Sequence, residues 1–182
     1  MVYTEKNIQI KDLEFSPFVT RFDIQERIAE LAIKINQDYE NKNPIFISVL
    51  SGSFMFTSDL LKQIDIQSEV TFIKVNSYEG TSSTNQIKEM IGLSNNITDR
   101  HVIIIEDIVD TGHTMNYLTQ ELSKKDPSSI EIVTLFYKPE AHKYDTKLRY
   151  VGFEIPKLFI VGYGLDYDGL GRNYQDVYQL VS

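Results

Sequence analysis

Between His101 and Thr114 the chain passes from an apolar, mostly β-branched run through carboxylates into a small polar turn, an order few folds accommodate. Val102, Ile103, Ile104 and Ile105, followed by Ile108, are the pattern of a strand covered on both faces, as in a parallel sheet. Glu106, Asp107 and Asp110 make its far end acidic. Thr111-Gly112-His113-Thr114 then opens an amphipathic helix with Met115, Leu118 and Leu122 on its apolar face. In α/β proteins ligands collect beyond the carboxyl ends of the strands, and amides at a helix N-terminus bind phosphate dianions. Carboxylates repel phosphate, so these face another part of the ligand. When ionised, Glu106 and Asp107 are pure acceptors and suit the vicinal hydroxyls of a sugar. Asp110, one turn onward, would lie between that sugar and whatever joins or leaves its anomeric carbon.

The rest of the chain alternates in the same sense. A short strand or arm around Ile8 to Leu13 precedes a helix that starts at Asp23, with Glu26 completing a capping-box-like pair. Ile24, Ile28, Leu31 and Ile35 continue that helix at helical spacing to about Tyr39. Ile45 to Leu50 reads as a second buried strand, and Ser51-Gly52-Ser53 leads from it into a helix over about Phe54 to Gln63. That is a second glycine turn of the anion-binding kind. Glu69 to Val75 and Ile130 to Tyr137 read as strands, and Val151 to Pro156 and Phe159 to Gly164 as short extended pieces. Strands alternating with helices imply an α/β fold with a mostly parallel, doubly wound sheet flanked by helices. Asn76 to Asn85 is polar except for Tyr78 and reads as a mobile lid that excludes water from a reactive site.

With 182 residues and 42% hydrophobic content, the chain suits one domain with a substantial core. A net charge of −8 with no basic tract argues against a nucleic-acid surface. It leaves room for phosphorylated ligands held by amides, a few placed cations and Mg²⁺. The absence of cysteine excludes disulfides, thiolate metal sites and cysteine nucleophiles. No basic-then-apolar leader opens the sequence, and no run approaches the roughly 18 apolar residues of a membrane span. A cytoplasmic protein without a membrane partner is expected.

The stretch Ile104 to Thr114 closely resembles the phosphoribosyl-pyrophosphate (PRPP) signature of type I phosphoribosyltransferases. Four further stretches, in order along nearly the whole chain, resemble the hypoxanthine-guanine phosphoribosyltransferases. They are Leu50-Ser51-Gly52-Ser53, Ser77-Tyr78, Phe136-Tyr137-Lys138-Pro139, and Val151 to Pro156 running on to Arg172. The resemblance implies the type I phosphoribosyltransferase fold, with a core over about residues 20–150. A small hood from about residues 1–19 and 151–182 would cover the base site.

The resemblance also implies roles. Asp110 would be the general base, and Glu106, Asp107, Thr111, Gly112, His113, Thr114, Ser51, Gly52 and Arg172 would bind PRPP. Lys138, Phe159, Ile160 and Asp166 would bind a 6-oxopurine, with Lys138 donating to its exocyclic oxygen. Ser77 and Tyr78 would belong to the lid. Asp166, Glu106 and Asp107 would be ligands for Mg²⁺, and Ser51-Gly52 would carry a cis peptide. Ser51 stands where many members of the family have lysine. The implied reaction moves 5-phosphoribosyl from PRPP to N9 of hypoxanthine, with guanine as a second acceptor, giving IMP or GMP and pyrophosphate in purine salvage. A homodimer or homotetramer is implied. The alternatives are a transferase for another base, such as xanthine, and a PRPP-sensing regulator of the same fold. Adenine is disfavoured because its amino group would face the Lys138 donor.

Overall fold

The computed structural model describes residues 6–77, 87–93 and 95–181, and two sheets organise them. The larger has the order β5 (Ile87–Ile91), β4 (Glu69–Ser77), β3 (Ile45–Leu50), β6 (His101–Val109), β7 (Ser129–Tyr137), β8 (Tyr150–Glu154). Strands β4, β3, β6, β7 and β8 pair in parallel, and β5 runs antiparallel to β4. Side chains alternate along β6 as a pleated strand requires. Val102 and Ile104 pack with Met115, Leu118 and Leu122 of α3 (His113–Ser123). Ile103 and Ile105 pack on the other face with α1 (Arg21–Asp38) and α2 (Phe54–Leu61), through Ile28, Leu31, Phe56 and Leu60. Helices on both faces explain why β6 lacks polar alternation: neither side meets water.

The smaller sheet is antiparallel, in the order β1 (Ile8–Ile10), β2 (Leu13–Val19), β10 (Val177–Leu180), β9 (Ile160–Val161). It joins segments from near both ends of the chain.

Several local details differ from the sequence reading. Ile8 to Leu13 is not one strand; Lys11, at φ 52°, and Asp12 turn β1 back into β2 as a hairpin. Helix α1 is capped by Thr20, not Asp23. Thr20 Oγ1 accepts from the Asp23 amide at 3.2 Å, and the Asp23 carboxylate accepts from the Thr20 amide at 3.3 Å. A hydroxyl at the cap with a carboxylate three residues on satisfies two otherwise open amides, so the helix starts earlier. Helix α2 stops at Leu61 rather than Gln63, and β4 runs on through Ser77. Of the lid expected over Asn76 to Asn85, residues 76 and 77 belong to β4, and residues 78–85, Tyr78 among them, lie outside the described residues.

The connections position the site. From β3 the chain moves outward to β4 on one side, then returns to β6 and continues through β7 and β8 on the other. The winding therefore reverses between β3 and β6, and their carboxyl ends open side by side, where doubly wound sheets bind ligands.

Candidate active site

Two turns meet at that reversal. The one after β3, Ser51-Gly52-Ser53, is supported from beneath by a buried hydroxyl cluster. Ser53 Oγ donates to the Val49 carbonyl at 2.5 Å, and Ser48 Oγ lies 2.8 Å from Ser53 Oγ and 2.7 Å from Thr57 Oγ1. The cis peptide is Leu50–Ser51, one bond earlier than the Ser51–Gly52 position expected from the sequence. Gly52 is hemmed in on two sides: a Cβ there would overlap Asp107 Oδ2, and a Cβ on Gly164 would overlap the Gly52 carbonyl oxygen. Only glycine allows these backbones and that carboxylate to approach so closely.

A cavity of about 230 Å³ opens beside this turn, lined by Ser51, Gly52, Glu106, Asp107, Asp166 and Arg172, among others. Asp107 Oδ1 accepts from the Ile108 amide at 2.8 Å. Burial pushes the Asp107 carboxyl up to about 6, while that amide and the Arg172 charge pull it back. Glu106 is raised well above the usual carboxylate range, first by burial and then by Asp107. Its Oε2 is buried without a hydrogen-bond partner. Across the cavity Arg172 Nη2 lies 2.7 Å from Asp166 Oδ1, Arg172 Nη1 donates to the Gly164 carbonyl at 2.6 Å, and the Gly169 amide donates to Asp166 Oδ2 at 2.7 Å. The donor set suits a hard cation, with three carboxylates on one cavity and an orphaned oxygen on Glu106. Among the described residues no three acidic or imidazole side chains close into a metal cage. Mg²⁺ does not need one, because it takes much of its shell from substrate phosphates and water.

The second turn forms a cradle of about 100 Å³ lined by Asp110, Thr111, Gly112, His113 and Thr114 with neighbouring residues of β6 and α3. Glu106 and Thr114 line both cavities, so the two are contiguous. Gly112 is the N-cap of α3 at φ 80°, and no side chain caps the helix. The His113 amide reaches only Thr111 Oγ1, at a long 3.4 Å, and the first helical bond is the Asn116 amide to the Gly112 carbonyl at 2.9 Å. First-turn amides left in this way are the ordinary binding groups for a phosphate.

Beside the cradle, at the end of β7, Lys138 is buried and its Nζ lies 2.6 Å from Asp110 Oδ2. Phe159 keeps 43% of its surface exposed and packs against Phe15 at 6.0 Å and edge-on to Tyr167 at 5.9 Å between ring centroids. Ile160 is buried in β9, opposite Gln179. Neither Phe159 nor Ile160 lines the two cavities above, and Ser77 ends β4.

Other contacts had no sequence signal. Tyr163 OH donates to Asp59 Oδ2 at 2.6 Å, tying the Gly162-Tyr163-Gly164 turn to α2. Burial, then that bond, raises the tyrosine. His142 and Tyr144 touch the cradle from a loop where single residues announce nothing.

Residues 22–168 match the family model of the phosphoribosyl transferase domain. The hypoxanthine-guanine-xanthine phosphoribosyltransferase of Tritrichomonas foetus is 43% identical over 152 residues, 83% of each chain. The hypoxanthine-guanine phosphoribosyltransferase of Staphylococcus aureus is 43% identical over 156 residues, 85% of this chain and 87% of that protein. A crystal structure of a hypoxanthine phosphoribosyltransferase from Staphylococcus aureus superposes with a TM-score of 0.84 at 39% identity, covering 91% of both chains. Reversal-point cavities, an acidic strand end running into an uncapped glycine turn, and similarity over most of the chain converge, and the chain belongs to the phosphoribosyl transferase family, among its hypoxanthine-guanine members.

Proposed function

We propose that the enzyme transfers the 5-phosphoribosyl group of PRPP to N9 of hypoxanthine and of guanine, giving IMP or GMP and pyrophosphate in purine salvage. The observation that carries this reading is the Lys138–Asp110 pair at 2.6 Å, beside two contiguous anion-binding turns. A 6-oxopurine offers an acceptor at O6 and a proton at the neighbouring N7. A buried donor next to an exposed acceptor matches those two atoms in order.

Thr111, Gly112, His113 and Thr114 take the 5-phosphate, and Glu106 and Asp107 accept from the ribose hydroxyls. Ser51, Gly52 and the Arg172 fork hold pyrophosphate. Lys138 donates to O6, Phe159 stacks on the base, and the Ile160 backbone and Asp166 meet its edge. As N9 bonds to the anomeric carbon and the bond to pyrophosphate breaks, Asp110 takes the N7 proton. Asp166, Glu106 and Asp107 are the residues that would hold Mg²⁺, which when bound neutralises charge growing on the leaving pyrophosphate. Ser77 and Tyr78 begin the segment that closes over the reactants.

In this reading the chain is one domain whose hood comes from both ends, and the enzyme acts in the cytoplasm. A homodimer or homotetramer goes with it, and the exposed Val70, Phe72 and Phe54 supply the apolar surface that an assembly covers. Release of pyrophosphate from PRPP with hypoxanthine, guanine, xanthine and adenine in turn, with and without Mg²⁺, tests the proposal. Release with hypoxanthine and guanine that requires Mg²⁺ is expected; release with no purine overturns the reading.

A further inference from the structure

Apart from the first helical bond, the Asn116 amide to the Gly112 carbonyl at 2.9 Å, the phosphate cradle has little to shape it from within. Gly112 sits at φ 80° without a side-chain cap on the helix it opens, and the 3.4 Å bond to Thr111 is weak. Its shape is imposed from outside by the segment that follows β7. The Lys138 amide donates to the Val109 carbonyl and the Lys143 amide to the Thr111 carbonyl, each at 3.0 Å. Lys138 Nζ holds Asp110, and Tyr144 OH lies 2.7 Å from His113 Nδ1. Between these contacts the His142 ring stands against Gly112, where a Cβ built on the glycine would lie 2.5 Å from His142 Nε2.

His142 therefore occupies the space that a side chain at position 112 would take. Its Nδ1 lies 3.0 Å from Tyr137 OH, with the two rings edge to face at 5.4 Å, so β7 fixes its orientation. Its Nε2 is buried with no hydrogen-bond partner. A buried nitrogen without a partner is unfavourable. The ring is kept there by the phenol behind it and the glycine before it.

We infer that His142 is a positioning residue for the 5-phosphate turn, the central contact of a strap, residues 138–144, that holds Val109 to His113 in the form that receives phosphate. The inference rests on the proposed PRPP reading, since it assigns the cradle to the 5-phosphate and the Ser51–Gly52 cavity to pyrophosphate. It adds that His142 touches neither ligand and acts through Gly112.

The test uses the two halves of PRPP as separate probes, ribose 5-phosphate and pyrophosphate, titrated calorimetrically into the full chain with Mg²⁺. For His142→Ala the dissociation constant for ribose 5-phosphate should rise about tenfold, the scale of one lost hydrogen bond, while that for pyrophosphate stays within about twofold. Tyr137→Phe removes only the hydroxyl that meets His142 Nδ1 and keeps the ring, so it keeps the fold and should raise the ribose 5-phosphate constant about threefold. In the reaction both variants should raise KM for PRPP with kcat at saturating PRPP little changed. Equal losses for both probes in His142→Ala would make the residue merely structural and overturn the inference. So would wild-type ribose 5-phosphate binding in Tyr137→Phe. The broader reading fails separately, if the wild-type enzyme releases no pyrophosphate with any purine.

Discussion

Lys138 and Asp110 form an ion pair of unequal burial: the lysine side chain keeps 11% of its surface exposed and the aspartate 50%. The aspartate can leave for a substrate proton and still be solvated, whereas the ammonium always needs an oxygen partner. In the proposed function an incoming 6-oxopurine supplies that oxygen.

The Asp110→Asn variant follows directly. Asparagine fills the same space and its amide oxygen can still accept from Lys138, so the cradle keeps its shape and PRPP affinity should be nearly unchanged. Turnover should fall by roughly 10²–10⁴-fold, the range for loss of a general acid–base group. PRPP dissociation constants and single-turnover rates for the variant decide it; a matching loss of PRPP affinity would make Asp110 a binding residue.

Gly52→Ala places a methyl group on the Asp107 carboxylate. The carboxylate must move, taking its bond from the Ile108 amide with it. Pyrophosphate affinity should fall at least tenfold, or about 1.4 kcal/mol, and ribose 5-phosphate affinity should fall with it, because Asp107 is the acceptor proposed for the ribose hydroxyls. Isothermal titration of both ligands measures the two losses.

Asp107 also predicts a pH dependence. Its folded value of about 6 lies above the ordinary value of 3.8, so the folded protein prefers the protonated form. That preference stabilises the ligand-free fold below about pH 4 and is lost as pH rises through about 6, by up to about 3 kcal/mol. Glu106 acts in the same direction. Urea unfolding at a series of pH values should show the decline, and Asp107→Asn should reduce it to the part that Glu106 contributes. Ribose hydroxyls need the ionised acceptor, so wild-type PRPP affinity should rise over the same interval.

Thr20→Ala removes the hydroxyl of the capping box and leaves the Asp23 amide without its acceptor. A loss of about 1 kcal/mol in chemical denaturation is expected, with KM values unchanged.

The long buried elements were legible because their cause is local. Ile45 to Leu50, apolar but for Ser48, and Val102 to Ile105, apolar at every step, are runs that follow from cover on both faces, and α3 shows its apolar stripe openly. Strands β5 and β10 were not, because Ile87–Ile91 and Val177–Leu180 are short, mix polar with apolar residues and depend on partners distant in sequence. The acidic strand end and both glycine turns were visible for the same local reason. His142 was not: its role comes from meeting Gly112 across a loop, and nothing at position 142 records that encounter.

The smaller sheet gives the enzyme a schedule. Every strand of the large sheet, and with it both glycine turns, has been synthesised once the ribosome passes Glu154. Strand β2, made near the start, must wait for Val177–Leu180 before its second edge is paired. A nascent chain at that stage carries both glycine turns but neither Asp166 nor Arg172 of the second cavity, nor the strand that pairs β2. In the proposed function the cradle for the 5-phosphate is therefore complete before the grip on pyrophosphate and the choice of acceptor.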